Sequence, residues 1–158
     1  MPNFRNEARW DHLVVAYESS SHSEAALDFA IELAERLGAR LHVVHVTDMD
    51  DYPVDPDMAG SDVEAKYIEE SLSAERTAVE SRMSDFSGDW EYINESGDTV
   101  RRISELADHL DAVMVVVGGP IHGLLEALHR TLTGSVGRVL AERSARAVTV
   151  VPPYPSSK

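Results

Sequence analysis

The chain predicts an α/β domain: a doubly wound open sheet, mostly parallel, with helices on both faces. Two observations carry this. Short β-branched runs alternate with longer segments whose apolar residues recur at helical spacing. Each junction is marked by Gly, Pro or a capping signature. A repeating strand–helix order forces parallel strands, because each crossover is right-handed. At 158 residues the chain fits one domain of the common size, roughly 100–200 residues, and can bury a core without staples.

Residues 1–11 are polar, carry Pro2 and read as a tail. Leu13-Val14-Val15-Ala16-Tyr17 is the first strand. Ser21-His22-Ser23-Glu24 forms a capping box, in which hydroxyl and carboxylate each satisfy a free N–H at a helix start. Ala26, Leu27, Ala30, Ile31, Ala34 and Leu37 then predict an amphipathic helix over 23–37, stopped by Gly38. Leu41 to Val46 is the second strand. Asp48, Asp50, Asp51, Asp55 and Asp57 follow in a loop with Pro53 and Pro56.

Ser61-Asp62-Val63-Glu64 repeats the capping box, and Ile68, Leu72, Val79, Met83 and Phe86 mark the buried stripe of a second helix. Trp90, Tyr92 and Ile93 among polar residues predict a half-buried edge strand. Gly97-Asp98 turns into a third helix with Val100, Ile103, Leu106, Ala107 and Leu110 facing inward. The run Val113 to Val117 is a buried strand that stops at Gly118-Gly119-Pro120. Gly123 and Gly134-Ser135 come next, the latter opening a helical pattern through Val136, Val139 and Leu140. Ala147 to Val151 is the fifth strand, ended by Pro152-Pro153. One domain over residues 12–153 results, with a second tail at 154–158.

Composition excludes several classes. There is no cysteine, hence no disulfide, thiolate metal site or cysteine nucleophile. A net charge of −14 argues against nucleic-acid and anionic membrane surfaces, which require Lys and Arg. No apolar run approaches the ~18 residues of a membrane span, and the first residues lack a signal-peptide core. The expectation is a cytoplasmic protein without membrane insertion.

In an open parallel sheet, ligands bind beyond the carboxyl ends of the strands where the strand order reverses. The ends of the first and fourth strands, Tyr17-Glu18-Ser19 and Gly118-Gly119, should face each other. Glycines allow close backbone approach, and a helix start presents unpaired N–H groups and a positive dipole end. The stretch from Asp111 to Val136 therefore suits a phosphate. The same residues also admit plainer readings, with the glycines as a turn and Ser135 as an N-cap.

His42 and His45 are three apart on a strand, point to opposite faces and cannot share a metal. His122 and His129 flank the glycine loop, where they either touch a phosphate or lie on the surface. The acidic loop is either solvated or a Mg²⁺ site beside a triphosphate. No residue set predicts catalysis: Walker-type G-x4-GK-[ST], nucleophile-elbow and zinc spacings are lacking. The expected function is non-enzymatic.

Ser23-Glu24-Ala25-Ala26-Leu27 through Gly38-Ala39-Arg40-Leu41-His42-Val43-Val44-His45-Val46, the Gly97…Asp111-Ala112-Val113 segment and Gly134-Ser135-Val136 together resemble the universal stress protein family over nearly the whole chain. The resemblance implies strand order 3-2-1-4-5 in an adenine-nucleotide alpha-hydrolase-like fold, a homodimer through the last strand, a stress-response role and, in one branch, bound ATP. The fifth strand would otherwise leave Val148 and Val150 on an exposed edge.

Carried over by position, the resemblance implies a nucleotide site of Ala16, Glu18, Leu41, Gly118, Gly119, Gly123, Gly134, Ser135 and Val136, for ATP or another adenine nucleotide with Mg²⁺. The chain departs from the family's G-x2-G-x9-G-[ST] loop: three residues separate Gly119 from Gly123, and ten separate Gly123 from Gly134. Glu18-Ser19-Ser20 stands where the family commonly has Asp-Gly-Ser. A nucleotide-free dimeric interaction module and a slow ATPase remain as alternatives.

Overall fold

The computed structural model describes residues 11–18, 21–47, 61–119, 140 and 144–153, leaving aside the side chains of residues 21 and 22. Within these residues the β-branched runs form β1 (His12–Ala16), β2 (Arg40–Thr47), β3 (Trp90–Ser96), β4 (Met114–Gly118) and β5 (Ala147–Val151). They lie in the order β3-β2-β1-β4-β5, and every neighbouring pair is parallel. The helices are α1 (Ser21–Leu37), α2 (Asp62–Arg82) and α3 (Thr99–His109). Both tails except Asp11, the acidic loop and all of the expected last helix except Leu140 lie outside the described residues. Leu140 is helical and fully buried.

Side-chain alternation splits the core into two layers. Leu13, Val15, Leu41, Val43 and Val116 face α1 and α2. Ala26, Ala30 and Ala34 bring α1 close to the sheet, with Leu27, Val79, Met83 and Phe86 filling the layer. Val14, Val44, Val46, Val115 and Val117 face the other way and meet Val100, Ile103 and Ala107 of α3, together with Leu140. Each fully buried aliphatic side chain contributes roughly 1.5–3 kcal/mol, so this double burial orients the sheet.

Helix boundaries follow the local chemistry. Gly38 adopts φ +66°, the left-handed conformation that ends α1. Ser61 accepts the Glu64 N–H at 3.2 Å, and Asp98 accepts the Arg101 N–H at 2.8 Å. After α3, Asp111 holds φ +50° without being glycine. Arg146 stabilises that turn by donating to Asp111 (2.5 Å), Asp108 (3.1 Å) and the Ala112 carbonyl (3.3 Å), which ties the end of α3 to the start of β5. No helix among the described residues is long and apolar enough to cross a membrane.

Candidate functional site

From β1 the chain winds outward to β2 and β3, then returns to place β4 on the opposite side of β1. The reversal of strand order therefore falls between β1 and β4, whose last paired step is Val15 with Val116. Just beyond it stand Ala16 and Glu18, both half-buried, and half-buried Gly118. Tyr17 donates its N–H to the Val44 carbonyl at 2.8 Å, so the β1–β2 ladder runs to the lip of the crevice.

Gly119 is buried, and its N–H donates to the Val151 carbonyl at 2.5 Å. A Cβ there would sit 2.9 Å from that carbonyl oxygen and 3.0 Å from the Pro152 Cα. Close passage of β5 thus accounts for the glycine at 119. Leu41 does not join this group. It is the second residue of β2, fully buried, and pairs with Leu13 and Trp90 at the amino end of the sheet. Gly123, Gly134, Ser135 and Val136 lie outside the described residues, as do His122, His129 and the acidic loop.

Behind the crevice, on the α1/α2 face, lies a polar cluster that pattern reading passed over. Glu75 is buried in the middle of the α2 stripe. Its carboxylate lies 2.5 Å from His45 Nδ1 and accepts the Tyr92 hydroxyl at 2.9 Å. His45 Nδ1 also reaches the Tyr17 carbonyl, at 3.2 Å. Nearby, Arg82 donates to both oxygens of Asp28 at 2.7 and 2.8 Å and pairs with Glu24 at 3.0 Å. The signal for Glu75 was present in spacing alone, because position 75 falls on the stripe between Leu72 and Val79.

The electrostatics are specific. Burial pushes the His45 pKa down, but the Glu75 hydrogen bond and charge, the Tyr17 carbonyl and the Glu18 charge outweigh it, and the net shift is upward. The Tyr17 phenol is also shifted up, by burial first and then by Glu24 and Glu75. In this cluster Glu75 favours the protonated form of His45, and Arg82 is matched by Asp28 and Glu24.

The amino end of the sheet carries a different row. His12 Nδ1 lies 2.8 Å from His42 Nε2, and His42 Nδ1 lies 2.6 Å from Glu91. As expected, His42 and His45 occupy opposite faces. Here burial dominates, aided by His12 and Arg40, and the His42 pKa is lowered despite Glu91. A groove of about 600 Å³ opens beside this row, lined by Asp11, His12, Glu35, Arg40, Phe86 and Asp89. It lies at the end of the strands opposite the switch point. Among the described residues, no group of three or more His, Asp or Glu is placed to hold a metal ion.

Comparison with known proteins agrees with this geometry. The sequence profile of the universal stress protein family matches residues 9–152. The stress response protein NhaX of Bacillus subtilis (strain 168) is 28% identical, over 89% of this chain and 97% of its own. A universal stress protein solved in complex with cAMP superposes with TM-score 0.65 at 26% identity, covering 89% of this chain and 96% of that one. The universal stress protein of Archaeoglobus fulgidus in complex with dAMP gives TM-score 0.59 at 25% identity, covering 90% and 98%. With the sheet order, the double core and a profile match spanning nearly every element, the chain belongs to the universal stress protein family.

Proposed function

We propose that the protein is a stress-response regulator that binds an adenine nucleotide, ATP or AMP, beyond the carboxyl ends of β1 and β4. The observation that carries this reading is the switch point, where Ala16 and Glu18 stand beside Gly118. Glu18 supplies a carboxylate able to accept from a ribose hydroxyl or the adenine amine. The glycine-rich residues 118–136 would bring N–H groups to the phosphates, with Mg²⁺ accompanying a triphosphate. Two relatives solved with bound adenylates support the same class of ligand. In this reading the protein is a cytoplasmic switch and not a catalyst. It is a homodimer through β5, an edge strand whose Val150 is half exposed.

Thermal unfolding with ATP, AMP and cAMP, with and without Mg²⁺, tests the binding. A ligand specific for the folded state at about 100 times its Kd adds roughly 2.7 kcal/mol, which a melting curve resolves easily. Replacing Gly134 with leucine should remove the shift while leaving the fold intact. If no adenylate shifts the wild type, the reading fails. A second reading, a nucleotide-free dimeric module, draws on Gly119, whose missing side chain is required by β5 whether or not a ligand binds. Val150→Asp tests the dimer: sedimentation should show a monomer.

A further inference from the structure

Buried ion pairs are poor sources of stability. Desolvation offsets their attraction, and apolar side chains of similar volume often serve as well or better. His45 and Glu75 lie between β2 and α2, next to a layer filled by Val, Leu and Ala together with Tyr17, Met83 and Phe86. Packing alone does not ask for them. Their contacts do have a direction. Tyr92 anchors Glu75, Glu75 anchors His45, and His45 Nδ1 lies 3.2 Å from the carbonyl of Tyr17, the first residue past β1.

That carbonyl begins the peptide leading to Glu18. The Tyr17 N–H is already held by Val44 of β2. The N–H of Tyr17 is thus fixed by the sheet ladder and its C=O by an imidazole, which leaves little freedom in how the chain departs from β1. Glu18 is close enough for its charge to act on His45.

We infer that His45 is a positioning residue for the nucleotide site: its single Nδ1–H, shared between the Glu75 carboxylate at 2.5 Å and the Tyr17 carbonyl at 3.2 Å, ties that carbonyl to α2 and so sets the direction in which Glu18 leaves β1. The inference rests on the adenine-nucleotide reading above. His45 itself touches no nucleotide and acts through the Tyr17 peptide. Its role is pre-organisation: the turn is held in place before the ligand arrives, so ordering it takes less from the binding free energy.

The test compares three substitutions in the full-length protein, with ATP, AMP and cAMP as probes. His45→Phe keeps a ring in the layer but removes the donor. His45→Asn places an amide N–H near the position of Nδ1. His45→Gln, whose amide reaches the position of Nε2 instead, serves as the donor-loss variant if the phenylalanine variant does not fold. Adenylate affinity is measured by calorimetry well below each melting temperature, and amide hydrogen exchange at Tyr17 and Glu18 is followed without ligand.

The expected result is roughly tenfold weaker binding on loss of the donor, the size of one lost hydrogen bond, together with faster exchange at Tyr17 and Glu18. His45→Asn should recover both. A core variant of α2, Val79→Ala, should lower the melting temperature and leave affinity unchanged. Equal affinity in the wild type and the donor-loss variants overturns the positioning role while sparing the nucleotide reading. Failure of the asparagine variant to recover binding overturns it as well. A wild type that binds no adenylate sinks the nucleotide reading, and the positioning role falls with it.

Discussion

His42 and His45 are three residues apart on β2, and each holds a glutamate at Nδ1, at 2.6 and 2.5 Å. Their protonation is nevertheless biased in opposite directions, His42 down and His45 up. Burial pushes both down. What differs is the partner. The Glu91 side chain is 40% exposed and shares its charge with Arg40 at 3.7 Å, whereas the Glu75 side chain is only 8% exposed. His42 also faces a second imidazole, His12, while His45 faces a carbonyl and the charge of Glu18. The remaining neighbours set the sign: His12 and Arg40 add to burial at His42, whereas the Tyr17 carbonyl and Glu18 reinforce Glu75 at His45.

Removing the partners should expose the difference most strongly. Glu75→Ala removes the buried carboxylate that pairs with His45 and accepts the Tyr92 hydroxyl, and should cost about 3 kcal/mol or more. Glu91→Ala, at a water-screened site, should cost only about 1 kcal/mol. Urea denaturation of the two variants checks this, and equal losses would break the comparison.

The pH dependence should come next in size. His45, raised in the folded state, contributes stability that is complete below its unfolded pKa near 6.5 and fades as pH rises through the folded value. His42, lowered in the folded state, contributes above 6.5 and loses that contribution as pH falls through its folded value. His45→Asn should therefore flatten the alkaline decline of the denaturation midpoint, and His42→Asn the acid decline. Swapped effects would reverse the assignment of the two sites.

The outlying arginines should give the smallest changes. Arg82 binds both oxygens of Asp28 and also Glu24, so Arg82→Gln should cost about 1 kcal/mol, in part salt-sensitive. Arg40→Gln, losing one long, exposed contact to Glu91, should stay within about 0.5 kcal/mol. Midpoints at low and high salt measure both.

Almost all of the architecture was legible along the chain, because each element advertises itself locally. Val14, Val15, Val43 and Val44 are β-branched runs, and the Ala26–Ala34 stripe has helical period. Gly38 ends α1 and Asp98 caps α3, as their residue types predict. Legibility failed where a residue's role depends on what lies across the sheet. Leu41 resembles a site residue by position in a motif, yet it lies at the amino end of β2 inside the core. Glu24 has the spacing of half a capping box, yet its carboxylate meets Arg82, fifty-eight positions along the chain. Glu75 falls on the buried stripe of α2, but nothing in its neighbours along the chain says that His45 and Tyr92 wait beneath it.

The strand–helix alternation, the parallel sheet and the place where its order reverses are encoded locally, because periodicity, capping and crossover handedness act over one or two elements. The difference between His45 and His42, the need for a glycine at 119 beside β5 and the α2 carboxylate behind the end of β1 arise only when distant segments meet. Those outcomes depend on burial and on charges brought together from distant segments, and a low-dielectric neighbourhood exists only once the chain has folded.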